Sequence, residues 1–230
     1  MISHQYNCIF IHISKCAGSS IESAFGIDIS DISSSNNENL YGWNDEHKLF
    51  LQHGTPQQLL DFGFINKKIW DTYYKFVIIR NPWERAVSDY IWMIHAIKKV
   101  DSFKNFLLRD GKFKDVLTNE NNDSYRGDHL NKQKDYFFYN GNEVIYDNII
   151  RMEDINTGLN KVISDLSLPD DFFKRKVNVS KKKYDHYSHF YNAKKKRLFE
   201  YIFSEDIEFL DYKYEERKKG IKKYVPFLVT

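Results

Sequence analysis

Cysteine is nearly missing from this chain: Cys8 and Cys16 are the only two in 230 residues. Two cysteines cannot build the disulfide framework of a small secreted domain, and Cys8, inside an apolar run, reads as a small buried hydrophobe. Long apolar stretches are also missing, so no transmembrane segment is expected. A secretory leader is not expected either, because Met1 to Asn7 is short and polar and the apolar run that follows is broken by His12 and Lys15. Internal repeats and metal-ligand spacings are lacking in the sequence, so no metal is expected. A large excess of one charge is lacking too, with a formal net charge of +2. With no recognition motif beside the lysine clusters, no nucleic-acid partner is expected.

What the chain does hold is apolar and aromatic residues at 42% and 17%, enough for a packed globular protein rather than a disordered one. Its 230 residues are read as a single domain, 1–230, with a substantial core. Charge is spread unevenly: residues 172–230 carry 16 Lys/Arg against 8 Asp/Glu, and residues 1–75 carry 5 against 8. A basic C-terminal quarter suits an anionic ligand, although a solvated basic surface accounts for many of those lysines.

The apolar run from Cys8 predicts a buried strand, then a small-residue loop, then a helix opening at Ser20. Residues 28–47 and 118–128 read as polar loops, and 56–72 as a short helix. Tyr74 to Ile79 predicts a second buried strand. Residues 83–109 read as mainly helical, with Trp92, Met93, Ile97 and Phe103 buried. Glu143 to Ile150 predicts a strand, with a helix starting at Met152. A late helix is expected to expose Lys194 to Arg197 and to bury Leu198, Tyr201 and Ile202. Strands alternating with helices argue for an α/β fold, a parallel sheet covered on both faces. Ligands in such sheets bind outside the carboxyl ends of strands.

Two segments at strand ends carry the chemistry. In the first, Ser14-Lys15-Cys16-Ala17-Gly18-Ser19-Ser20, backbone N–H groups, serine hydroxyls and a lysine can converge on a phosphate-like anion. It is not a Walker A motif, because the lysine precedes the glycine instead of following it. In the second, Arg80-Asn81-Pro82 through Ser88, Pro82 suits the first turn of a helix. An arginine at the strand end with a serine eight residues on can grip a second phosphate.

Together the two segments resemble the sulfotransferases that use 3′-phosphoadenosine 5′-phosphosulfate (PAPS). The resemblance is to the branch with heparan sulfate 2-O-sulfotransferase, the chondroitin and dermatan 4-O-sulfotransferases and many bacterial relatives. Weaker echoes lie at His129 to Gln133, Arg151 to Asp154, Asn178 to Ser180 and Tyr201 to Tyr212. The resemblance implies a P-loop-like three-layer sandwich, a central parallel sheet flanked by helices. It implies that Ser14, Lys15, Cys16, Ala17, Gly18, Ser19 and Ser20 hold the 5′-phosphosulfate, with Lys15 on the bridging oxygen. Arg80 and Ser88 would hold the 3′-phosphate, and Ser180 and Lys181 would close over the nucleotide. His53 is the candidate base, in the position of a histidine of the uronyl 2-O-sulfotransferases; His12, His47 and His129 compete with it. His129 and Gln133 could touch the acceptor, a glycan or small hydroxyl-bearing molecule. Animal relatives mostly carry a membrane anchor, so a cytoplasmic, bacterial enzyme is the expectation here.

Plainer roles compete for the same residues. Lys15 could be an exposed loop lysine, Ser19 and Ser20 helix caps, Gly18 an ordinary turn residue, and Arg80 or Arg85 partners in salt bridges. Two rival functions stand beside sulfuryl transfer. A kinase-like enzyme would need a Walker lysine and a magnesium-binding carboxylate, and neither is evident. A degenerate module that binds nucleotide or acidic glycan without catalysis would not need Lys15, Arg80, Ser88 and a histidine together.

Overall fold

The structure is a computed structural model, and it describes residues 1–122, 124–174 and 184–218. Along the chain it begins with strands β1 (Ile2–Ser3) and β2 (Cys8–Ile11), helix α1 (Gly18–Ala24) and the hairpin β3 (Trp43–Asn44) and β4 (Leu49–Phe50). Helices α2 (Pro56–Asp61) and α3 (Lys67–Thr72) lead into strand β5 (Tyr74–Ile79). Helices α4 (Pro82–Ile97), α5 (Phe103–Leu107) and α6 (Lys114–Thr118) follow. Then come β6 (Phe138–Tyr139), β7 (Asn142–Glu143), β8 (Asn148–Arg151), α7 (Ile155–Asp165), α8 (Ala193–Ile202) and α9 (Ser204–Phe209). These elements gather into two compact units, one of Met1–Arg80 with Asp135–Val179 and one of Asn81–Lys134 with Ser180–Thr230, each within its described residues.

The first unit is a mixed α/β body around a four-stranded sheet of order β1-β2-β5-β8. Strands β2, β5 and β8 run parallel. Both β2 and the second half of β5 are unbroken buried apolar runs, the pattern of strands covered on both faces. Phe10 pairs with Phe76 in register, and their rings stack at 4.9 Å. The sheet departs from the all-parallel expectation at one edge, where β1 pairs antiparallel with β2. The short connection between them permits only that direction, since a parallel partner needs a long crossover. Helix α7 lies on β8, and Gly158 is what allows it: a methyl group at that position would overlap Ile150.

Two other boundaries differ from expectation in this unit. The helix over 56–72 is two helices, because Gly63 turns left-handed at φ 73°. Asn66 then caps α3 by accepting from the Ile69 N–H. The strand over 143–150 is interrupted, with β7 ending at Glu143 and β8 starting at Asn148. Between them Asp147 turns its carboxylate onto the Lys75 N–H at 2.7 Å, which sets where pairing with β5 begins.

The second unit is helical. Its core includes Trp83, Val87 and Met93 of α4, Phe106 of α5, Phe113, and Phe199 of α8. The expected helix over 83–109 breaks at Lys98, which adopts φ 53°, and restarts at α5 under a Ser102 cap. On α8, Leu198 and Ile202 pack against this core as expected, while Tyr201 does not. Phe199 and Phe203 are buried and Tyr201 is 84% exposed, because two residues along a helix is more than half a turn away from the face that Phe199 occupies. No helix among the described residues is long and apolar enough to cross a membrane.

Candidate active site

Because β2 and β5 are parallel neighbours, their carboxyl ends open on the same side of the first unit, and the two motifs start there. After β2 the chain turns through Ser14 to Ala17 and enters α1 at Gly18, two residues before the expected start. Lys15 and Ala17 are left-handed, at φ 65° and 64°. Each such residue costs about 1–2 kcal/mol when it is not glycine. The turn is held by local and long-range bonds. Ile13 C=O accepts from Cys16 N–H, and Ala17 C=O accepts from Ser20 and Ile21 N–H. Arg80, buried at the end of β5, donates from Nη1 to the Lys15 carbonyl at 3.0 Å. Turns that mix right- and left-handed residues can present backbone N–H groups to an anion; in this one the Cys16, Ser20 and Ile21 N–H groups already serve the turn itself.

Side chains in the loop are graded by burial. Ser14 and Cys16 are buried, while Lys15, Ala17, Ser19 and Ser20 are half-buried. The start of α1 has no side-chain cap, whereas α2, α3 and α4 are capped by Thr55, Asn66 and Asn81. Both cysteines are free and buried. Burial pushes the Cys8 thiol up to about 12.

Gly18 has a specific reason to be glycine, and it is internal: a methyl group there would overlap the His12 imidazole. One turn further along α1, on the same face, Glu22 Oε1 accepts from His12 Nδ1 at 2.8 Å, and both side chains are buried. Burial alone would raise the Glu22 carboxyl, but the charge and hydrogen bond of His12, then the charges of the Met1 amino group and of His53, outweigh it and hold the group below its usual range. The His12 ring meets the ring of His53 edge to face, with centroids 4.6 Å apart.

His53 ends a short 3₁₀ turn, Leu51–His53, and is 8% exposed. Its backbone is held as well as its ring. Tyr136 Oη donates to the His53 carbonyl at 3.0 Å, and Tyr146 Oη donates to the Tyr136 carbonyl at 2.6 Å. The chain leaves His53 through Gly54, where a Cβ would lie 2.6 Å from Leu59 Cδ2. That close approach lets α2 fold back directly, under the Thr55–Gln58 capping box. His47 is elsewhere engaged, stacked on Phe62 at 4.2 Å.

The remaining candidates belong to the second unit or lie outside the described residues. Ser88 is half-buried on α4. Arg85, on the same helix, is buried and donates to the carbonyls of His129 at 2.8 Å and Asn131 at 3.0 Å. His129 is buried, bonded through Nδ1 to Asp89 at 2.7 Å and stacked on Trp92 at 4.5 Å. Gln133 is fully buried, and its N–H donates to Asp206 at 2.9 Å. Ser180 and Lys181 lie outside the described residues.

The structure therefore brings Arg80 to Lys15 through a bond from its guanidinium to the Lys15 carbonyl, and gives His53 a histidine neighbour. Sequence reasoning passes over Glu22 and Tyr136. Glu22 has a faint signal, a Gly-x-x-x-Glu spacing just after a strand-end histidine; Tyr136 has none. A family model described as the sulfotransferase family matches residues 1–215. Searches of the curated proteins and of the solved structures return no match.

Proposed function

Because the chain belongs to the sulfotransferase family, we propose that it moves a sulfuryl group from PAPS to a hydroxyl of a carbohydrate or glycoconjugate acceptor. The observation that carries this reading is the bond from Arg80 to the Lys15 carbonyl, which ties the ends of the two motif-bearing strands. The donor set fits such a nucleotide. Lys15, Arg80 and the hydroxyls of Ser14, Ser19 and Ser20 are cations and hydrogen-bond donors, and the nearest carboxylate on α1, Glu22, is engaged with His12.

In this P-loop-like reading, the turn from Ser14 to Ser20 holds the 5′-phosphosulfate and Arg80 with Ser88 holds the 3′-phosphate. PAPS supplies a sulfuryl group already activated by its phosphate leaving group. Lys15 stabilises the charge that develops on the leaving oxygen, a role whose removal typically costs 10²- to 10³-fold in rate. His53 takes the proton of the acceptor hydroxyl, a role that imidazoles commonly fill as general bases. Positioning and electrostatics supply the rest, as in phosphoryl transfer.

Calorimetric titration with adenosine 3′,5′-bisphosphate and with ADP tests the donor assignment. The bisphosphate is expected to bind at least tenfold more tightly than ADP. Arg80→Lys and Ser88→Ala are expected to reduce that preference, and Lys15→Ala to weaken both ligands. Equal affinity for the two nucleotides in the wild type would overturn the reading.

A further inference from the structure

His12 has no part in the roles above, yet three residues of the first unit converge on it. Glu22 takes its Nδ1, the missing side chain of Gly18 makes room for its Nε2 edge, and the ring of His53 meets it at 4.6 Å. With Nδ1 bonded and the Nε2 edge set against the backbone of α1, and with the residue only 5% exposed, His12 is poorly placed to exchange a proton with a substrate. Its geometry is that of a spacer between two parts that must keep register. On one side is the first turn of α1, continuous with the Lys15 loop. On the other is the imidazole read as the base.

We propose that His12, pinned by Glu22, is a positioning residue that fixes the ring of His53 relative to the Lys15 loop. This rests on the reading of His53 as the base. The sequence spacing serves the arrangement. Gly18 and Glu22 are four residues apart, so they lie one above the other on α1, and the histidine at the end of β2 fits between them. A small tilt of His12 would be passed to His53, and misplacing a catalytic group by about 1 Å can cost on the order of 10²-fold.

The experiment is a double-mutant cycle on His12→Asn and His53→Ala, in the full chain. Asparagine keeps an N–H donor for Glu22 but removes the ring edge. Turnover is read as release of adenosine 3′,5′-bisphosphate from PAPS with water as the accepting hydroxyl, and bisphosphate affinity is measured alongside by calorimetry. His12→Asn is expected to lower kcat at least tenfold in the wild type, to leave bisphosphate affinity within twofold, and to change kcat less than twofold when His53 is already alanine. Glu22→Gln, which retains the hydrogen bond, is expected to stay within threefold of wild-type kcat, and Glu22→Ala to fall with His12→Asn. Equal losses from His12→Asn in both backgrounds would overturn the positioning role while leaving His53 as the base. A His53→Ala protein with wild-type kcat and intact bisphosphate binding would overturn the base assignment, and this proposal with it. Imidazole ¹⁵N spectra supply a readout independent of turnover: a folded His12→Asn protein whose His53 ring signals match the wild type overturns the proposal.

Discussion

Glu22 shows how one buried carboxylate ties a loop to the stability of its unit. Its folded-state value is depressed, by His12 above all, against the opposing effect of burial. An unfolded glutamate titrates at about 4.3. The stabilisation it contributes is therefore fully present above that pH and is lost as pH falls through the lower, folded value. Acid unfolding followed by circular dichroism should show the wild type losing stability below about pH 4.3, and Glu22→Gln losing less over the same interval. Superimposable acid profiles would contradict the depressed Glu22 carboxyl. Lys15 and Arg80 are legible in the sequence because each lies within a few residues of the end of an apolar strand, and a strand end fixes position. The role of His12 is not legible, since it depends on where α1 returns across the strand end. Gly18 illustrates the difference: it reads as a turn glycine open to a ligand, and the folded chain instead gives that space to an imidazole.

At the scale of elements, caps and close approaches decide where helices lie. Asn81 accepts from the N–H groups of Trp83 and Glu84 at 3.1 and 3.3 Å, just before Pro82 opens α4. Asn81→Ala should destabilise the protein by about 1 kcal/mol, read as a lowered denaturant midpoint at unchanged slope. Gly158→Ala gives a sharper test, because two effects oppose each other. Alanine gains about 1 kcal/mol in helix propensity, while crowding Ile150 costs roughly 1–3 kcal/mol, so net destabilisation is expected. A stabilised variant would show that α7 does not depend on that close approach. The start of α4 is legible from Asn81-Pro82, a local signal. Its end is not: Lys98 adopts a left-handed conformation without glycine or proline to announce it, and Tyr90 Oη bonded to the Asp101 carbonyl at 2.6 Å fixes the turn from a distance. The exposure of Tyr201 has the same origin. Aromatic residues at 199, 201 and 203 offer two faces, and only packing chooses between them.

At the scale of the whole molecule, the family match over residues 1–215 runs through both compact units. A ligand bound only by the folded chain stabilises it by about 2.7 kcal/mol at a hundred times its Kd. Adenosine 3′,5′-bisphosphate at that excess should therefore raise the thermal midpoint by several degrees, with ADP at the same concentration giving a smaller rise. A midpoint that the bisphosphate leaves unchanged would remove support for the donor assignment. The alternation of strands and helices is legible at this scale because the parallel strands are unbroken apolar runs. The antiparallel edge β1 is only two residues long, too short to leave a periodic signal.

The order in which the sheet is written into the chain has a consequence for synthesis. Strand β8, the neighbour of β5, comes after all of Asn81–Lys134, and the second unit in turn needs α8, made later still. Neither unit can finish while the other is unstarted. At about 5–20 residues per second, the nascent sheet waits several seconds with the β5 edge open, its backbone donors and acceptors available to any passing strand. That interval is when a ribosome-associated chaperone would have the most to protect.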